Sequence, residues 1–392
     1  LPPHPGRVML VVALDTEIYL KSPRTQRRMQ RVLTENIAAS LNGAVRVTRL
    51  AGHRLEVEST DPRSVERLSR IFGIAAVERV ERVAATDLED LADTVADRFA
   101  AAVTGRSFAV RPRRMGSHSW TSQDLAVAAG SRLVEAGGRV DLTNPEVTVV
   151  VRVVDGVADL TVERHPAVGG FPLGTQGRAL AMFSGGIDSP VAAYMVARRG
   201  VTLDYLHFSL GCGQADHAAG IAHDLFERFG AGSDPWWILA DIEPLVPELT
   251  RRVDPRMRQM ALKALMYLAA DRITADLADS RALVSGESLG QVSTQTLDNL
   301  VSLDRMVPIP VLRPLLGLSK SEIRTRAEHI GTYEASARSR ELCDISDGGR
   351  VAVSTKPAQA VSVAAAIDDL VDQAVTTAKR QRLRDWIPGS TT

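Results

Sequence analysis

The chain has 392 residues, enough for about two or three domains, and its formal net charge is zero, so any nucleic-acid surface must be a local patch. Its only cysteines, Cys212 and Cys343, exclude a disulfide-rich secreted framework and are too few for a four-cysteine zinc or iron–sulfur site. The opening LPPHPGRVML lacks the regions of a signal peptide and no later stretch is long and apolar enough to span a bilayer, so the expectation is a cytoplasmic enzyme with no membrane partner.

Residues 7–81 alternate strand-like and helix-like segments in a ferredoxin-like order: a strand at 8–14, a helix at 23–41 that Ser22 can cap, a hairpin of 44–50 and 54–58, a helix at 62–71 and a closing strand at 74–80. The next region predicts an amphipathic helix at 87–103, a strand at 107–111, a helix at 122–136, and strands at 146–153 and 157–164 joined by the turn Asp155-Gly156. A glycine- and proline-rich stretch, HPAVGGFPLGTQG, follows at 165–177. From 178 onward, strand candidates at 179–183, 203–210, 236–239 and 282–285 alternate with helices, which predicts a doubly wound parallel sheet. The expected organisation is a multidomain chain, α+β then α/β, with domains at 1–81, 82–166 and 178–392 and a linker at 167–177. Ligands of such sheets lie beyond the carboxyl ends of strands, where the turn after residue 183, His207-Phe208 and Ser285-Gly286-Glu287 converge.

The first of these reads ALAMFSGGIDSP. An apolar strand ends in Ser184-Gly185-Gly186-Ile187-Asp188-Ser189 and a helix is expected to begin at Pro190. Two glycines let the backbone bend and approach a ligand, and the positive helix end attracts anions. No Lys-Ser or Lys-Thr follows, so this is not a Walker A loop. It resembles the SGGxDS loop of PP-loop ATP pyrophosphatases. Ser189 can cap the helix or touch phosphate. Asp188 beside a triphosphate is unfavourable unless Mg²⁺ bridges them, which points to a metal or substrate role.

Three further places carry chemistry. In SGESLGQVSTQTL, Gly286 and Gly290 permit close approach, while Gln291, Ser293, Thr294 and Gln295 offer neutral hydrogen bonds to a ribose, base or phosphate. Ser319 and Glu322 have capping-box spacing, so Lys320 falls at a helix start, where a cation is disfavoured unless a phosphate sits nearby. Cys343 stands in the polar segment SRELCDISDGGR, compatible with an exposed thiol, whereas Cys212, at a strand end on the ligand side, reads more readily as a small loop residue, since nothing else there demands a thiol. For nucleic acid, Arg24, Arg27, Arg28 and Arg31 recur at helical spacing after Lys21, and VRPRRMGSHSW sets Arg111, Arg113, Arg114 and His118 beside Trp120.

The segments TEIYLKSPRTQRR, FAVRPRRMGSHSW, GGFPLGTQG, FSGGIDSPVAAYMVARRG, SGESLGQVSTQTL and IGTYEASARSRELCDIS together resemble the ThiI-type tRNA 4-thiouridine synthetases over nearly the whole chain. The resemblance implies a ferredoxin-like domain, a THUMP domain that binds tRNA, and a PP-loop domain. It implies ATP on Met182, Phe183, Ser184, Gly185, Gly186, Asp188, Ser189, His207, Phe208, Lys263, Gly286 and Gln295, adenylation supported by Asp188 and Lys320, and sulfur carried on Cys343 as a persulfide. Implied cofactors are ATP and Mg²⁺, the metal with the nucleotide and Asp188 rather than in a site of its own, with no iron–sulfur cluster. Implied partners are tRNA, a cysteine desulfurase that loads Cys343 directly or through a separate rhodanese-type or sulfur-carrier protein, since no rhodanese domain is appended, and a second copy of the chain in a homodimer. A role in thiamine thiazole synthesis is a further implication. Ala264 stands where relatives usually carry a second basic residue next to Lys263, which removes one implied ATP contact. The alternative, an RNA-binding or tRNA-chaperoning protein with a vestigial ATPase, is disfavoured by intact Asp188, Lys320 and Cys343.

Overall fold

The structure is a computed structural model, and it describes residues 8–42, 44–211, 214–277, 279–292, 294–338, 345 and 352–389. Two compact units emerge: one of residues 1–20, 41–70 and 74–169, the other of 21–40, 71–73 and 170–392.

The first unit is built on one eight-stranded sheet. Strands β1 (Val8–Leu14), β2 (Val45–Leu50), β3 (Arg54–Ser59) and β4 (Ile74–Ala84) lie in the order β2-β3-β1-β4, the ferredoxin-like arrangement that the segment order predicts. Strands β5 (Ser107–Met115), β6 (Arg139–Val140), β7 (Val147–Val154) and β8 (Val157–Pro166) continue it as β8-β7-β5-β6. The seam is β4, which is longer than the expected 74–80 and pairs with β1 along one edge and β8 along the other. Arg82 sits on this strand between Asp159, at 2.8 Å, and Glu56, at 3.0 Å. Asp155 and Gly156 both have positive φ, 46° and 80°, the turn geometry their sequence predicts between β7 and β8. Helices Leu88–Val103 and Ser122–Glu135, capped by Asp87 and Thr121, bury Leu91, Val95, Phe99, Leu125 and Leu133 against Phe108, Val149 and Val151.

The second unit carries a six-stranded sheet: β9 (Arg178–Met182), β10 (Thr202–Ser209), β11 (Trp236–Asp241), β12 (Ser280–Val284), β13 (Val311–Leu312) and β14 (Lys379–Arg382), in the order β13-β12-β9-β10-β11-β14. The first five are parallel, and β14 closes one edge antiparallel to β11, a feature the strand–helix alternation does not predict. Strand order reverses at β9, with β10 on one side and β12 on the other, and such a switch point opens a crevice at the carboxyl edge. The helix Arg258–Ala275 covers the sheet with Ala261, Leu262, Ala264 and Leu265 in a core that includes Leu180, Leu206, Ile238 and Leu283. The helix Pro23–Ser40 groups with this unit, where Asn36 Nδ2 donates to Leu173 O at 3.1 Å and Arg28 to Thr175 O at 2.7 Å.

Candidate nucleotide site at the switch point

Met182 pairs with Leu206 and Ala181 with Val284, so β9, β10 and β12 end on one edge and deliver the Phe183–Gly186 turn, His207-Phe208 and Ser285–Glu287 to one place. Gly185 is left-handed (φ 77°) and a Cβ there would stand 2.9 Å from Ala218 Cβ, so both backbone and packing demand glycine. Gly186 differs. Its φ is ordinary and only Ser184 Oγ, at 3.5 Å, lies near its missing Cβ, so the protein alone does not require glycine there; the open space is what an approaching phosphate would use.

The helix begins at Asp188, two residues before the expected Pro190, which instead occupies its first turn. Its N-cap, Ile187, offers no side-chain acceptor, so no side chain from that position competes with an anion. Ser189 has a third use besides the two read from sequence: its Oγ accepts the Ser184 N–H at 3.1 Å and lies 3.3 Å from Ser184 Oγ, latching the turn to the helix. Gly286 backs onto the same helix start, 3.0 Å from the Asp188 carbonyl carbon and the Ser189 nitrogen as measured from an ideal Cβ.

The buried side chains expected at ATP are used differently from one another. Phe183 is 2% exposed, edge-on to Tyr205 and Trp237, so it offers only backbone to a ligand. His207, also buried, lies 2.8 Å through Nδ1 from the Phe183 carbonyl and stacks on Trp237. A carbonyl only accepts, so Nδ1 carries the proton and Nε2 is an acceptor. Burial lowers the imidazole pKa, partly offset by that carbonyl. Met182 and Phe208 are partly buried at the strand ends. Gln295 is buried, and its Oε1 has no hydrogen-bond partner among the described residues, an acceptor that a ligand donor could satisfy.

Lys263 is joined to Glu287, which the sequence places at the converging strand ends but not among the ATP contacts. Its Nζ lies 3.0 Å from Glu287 Oε1, while Glu287 Oε2 accepts from Arg313 Nε at 2.9 Å and from the Tyr267 hydroxyl. Burial alone would raise the Glu287 pKa, but the Lys263 charge and the hydrogen bonds from Tyr267 and Arg313 prevail and hold it at about 2. The signal in the sequence was the scarcity of lysine: each needs its own partner, and a glutamate closes the SGE strand end.

Lys320 follows the capping box that its sequence predicts, with Ser319 N–H donating to Glu322 at 2.9 Å and Glu322 N–H to Ser319 Oγ at 3.3 Å. Ser288 Oγ donates to Leu318 O at 2.9 Å, which ties this helix start to the loop after β12 and brings Lys320, exposed, toward the same edge. Cys343, Cys212 and Ser293 lie outside the described residues. No group of three or more His, Cys, Asp or Glu able to hold a metal occurs among the described residues, and Asp188 is a half-buried carboxylate at the start of the turn helix, of the hard oxygen type that Mg²⁺ accepts.

The basic residues fall in both units. In the second, Arg24, Arg27, Arg28 and Arg31 line one open groove along their helix, and Lys21 Nζ and the Arg199 guanidinium lie 5.1 and 4.6 Å from the Phe171 ring centre. In the first, Arg111 and Arg113 are exposed on β5, Arg111 donating to Leu142 O. Arg114 donates to His118 O at 3.3 Å. Both ring nitrogens of His118 are covered and without a partner among the described residues, and Trp120 is packed into the core rather than offered to a base.

Residues 174–365 match the model for "Thiamine biosynthesis protein (ThiI)" and residues 84–163 that for the THUMP domain. A tRNA sulfurtransferase of Desulfurococcus amylolyticus is 39% identical across 86% of this chain and 70% of its own length. The chain belongs to the tRNA sulfurtransferase family. Another relative, a probable tRNA sulfurtransferase of Saccharolobus islandicus, is 33% identical across 88% of this chain and 92% of its own. A 4-thiouridine synthetase crystallised with RNA and bound ATP superposes with a TM-score of 0.82 at 25% identity, covering 96% of this chain and all of that one. The ferredoxin-like, THUMP and PP-loop architecture expected of ThiI-type enzymes is thus the one present.

Proposed function

We propose that the protein is an ATP-dependent tRNA sulfurtransferase that makes 4-thiouridine. The observation that carries this is the turn at the switch point, where Gly186 leaves open a space that no neighbouring protein atom requires, above a helix start with no side-chain cap. Its relatives' sulfurtransferase names and the RNA and ATP of the superposed synthetase support the substrates. In this reading the turn from Ser184 to Ser189 cradles the pyrophosphate, His207 Nε2 and Gln295 Oε1 accept hydrogen bonds from the nucleoside, and Asp188 and Lys320 flank the reacting phosphate. Mg²⁺, when bound with the nucleotide beside Asp188, offsets phosphate charge.

The O4 of uridine 8 attacks the α-phosphate and expels pyrophosphate, converting a poor leaving group into AMP. The terminal sulfur of a Cys343 persulfide then attacks C4, AMP departs, and a second thiol cleaves the sulfur–sulfur bond, so that sulfur remains on the base and Cys343 leaves in a mixed disulfide. Cys212 is a candidate for that thiol. A cysteine desulfurase supplies the persulfide, directly or through a rhodanese-type carrier, and the enzyme acts in the cytoplasm as a homodimer. Sulfur delivery to thiamine thiazole synthesis is a second reading, favoured by the description of the matching family model.

Mass spectrometry of nucleosides from tRNA incubated with the protein, ATP, Mg²⁺ and a persulfide source tests this reading. The wild type should yield 4-thiouridine, whereas Cys343→Ser should yield none while still releasing pyrophosphate when tRNA is added. Full thiolation by that variant would remove Cys343 from the chemistry. ATP-independent RNA binding without thiolation by the wild type would favour an RNA chaperone instead.

A further inference from the structure

Glu287 follows the glycine that touches the turn helix, so its carboxylate springs from the floor of the nucleotide site. Its two oxygens are divided between two kinds of partner. Oε1 receives Lys263 Nζ alone among the described residues, while Oε2 receives Arg313 Nε and the Tyr267 hydroxyl. Arg313 is anchored in turn by both oxygens of Asp304, at 2.7 and 3.1 Å, and touches the Tyr267 oxygen at 3.2 Å. The side chains of Glu287 and Arg313 are 3% and 7% exposed, whereas that of Lys263 is 26% exposed, so of these three the lysine is the one most open to solvent and free to meet a ligand. Two cations, Lys263 and Arg313, balance two carboxylates, Glu287 and Asp304.

An ammonium on a four-carbon stem loses its orientation unless something holds it, and a phosphate gains most from a cation already in place. We infer that Glu287 is a positioning residue for ATP, holding Lys263 Nζ at the mouth of the phosphate turn. When the ammonium shifts onto a phosphate, Oε2 keeps Arg313 and Tyr267, so Glu287 stays paired and in place. The cluster thereby separates a fixed half, Glu287 with Arg313, from a movable half, Lys263. This inference rests on reading the turn as an ATP site.

ATP affinity by calorimetry, together with KM for ATP and kcat for tRNA-dependent pyrophosphate release, tests it on Lys263→Ala, Glu287→Gln and the double variant. Glu287→Gln should raise both Kd and KM for ATP about tenfold with kcat changed by less than about twofold, and should add nothing further in the Lys263→Ala background. Tyr267→Phe, which removes one hydroxyl from Oε2 and leaves the charges intact, should raise the ATP Kd about twofold to threefold and serves if Glu287→Gln fails to fold. Effects of Glu287→Gln and Lys263→Ala that simply add, or an ATP affinity left unchanged or tightened by loss of the carboxylate, would overturn the positioning role while leaving the ATP site standing. A wild type that binds no ATP would instead defeat the reading of the turn, and the positioning role with it.

Discussion

Gly286 lies so close to Ser189 that a Cβ on the glycine would stand 3.0 Å from the serine's backbone nitrogen. The obstacle is backbone, which cannot swing aside as a side-chain tip can. Ser189 also holds the Ser184 N–H, so a push at residue 286 passes into the phosphate turn. Gly286→Ala should therefore weaken ATP binding about tenfold or more and cost about 1–3 kcal/mol of stability through overpacking. Calorimetric titration with ATP and a denaturant melt measure both; an unchanged affinity would show that the turn does not depend on this contact.

Ala264 is fully buried in the core with Leu262 and Leu265, about 100° around the helix from the partly exposed Lys263. Restoring the basic residue that relatives carry there should not strengthen ATP binding. Ala264→Arg is expected to bury an unpaired charge and lose about 3 kcal/mol or more, seen as a lower urea midpoint, with no gain in ATP affinity. A variant with native stability and tighter ATP binding would contradict this placement.

Glu287 ties acid stability to the site. Its folded pKa of about 2 lies below the ordinary glutamate value of 4.5, so the stabilisation is fully present above about pH 4.5 and is lost as pH falls toward and through about 2. Urea midpoints measured across that window should fall more steeply for the wild type than for Glu287→Gln. Parallel slopes would mean that the carboxylate is not the group responsible.

Arg24 and Arg27 are exposed on the groove-lining face, while Arg28 spends its guanidinium on the Thr175 carbonyl. Arg24→Ala and Arg27→Ala should each lower the salt dependence of tRNA binding by about one phosphate contact, with melting temperature unchanged. Arg28→Ala should instead lower stability, because it removes a tether to the GGFPLGTQG segment. Filter binding across a salt series distinguishes the two behaviours, and an unaltered slope in Arg24→Ala or Arg27→Ala would remove that residue from the RNA surface.

Much of the site was readable because parallel strands impose a rule: apolar runs alternating with helices put every strand's carboxyl end on one edge, which brought residues 184–189, 207–208 and 285–287 together. Strand Val8–Leu14 and the Ser319 capping box were equally legible, since alternation and spacing are local properties. What escaped depends on distant partners. Beyond Val80, β4 carries Glu81 and Arg82, which look like a strand's end until Asp159 and Glu56 arrive to pair with Arg82. KRQR carries no strand signal, yet Lys379–Arg382 pairs with β11 and sets the Arg382 guanidinium 3.6 Å from the centre of the Trp236 ring. The partners of Glu287 escape for the same reason: Lys263 and Tyr267 lie on one segment and Arg313 on another.

The long strand β4 also bears on how the chain can be cut. The segment matching the THUMP model, 84–163, begins at the last residue of β4 and so leaves out the strand that covers β8 from Val157 to Pro166. An excised fragment of that span would expose a bare row of amides and carbonyls along what remains of β8, open to pairing with other chains, and would lose the Glu78 carboxylate that holds Arg152. Such a piece is expected to self-associate, so a soluble RNA-binding fragment has to start at or before Val8 rather than at the family boundary.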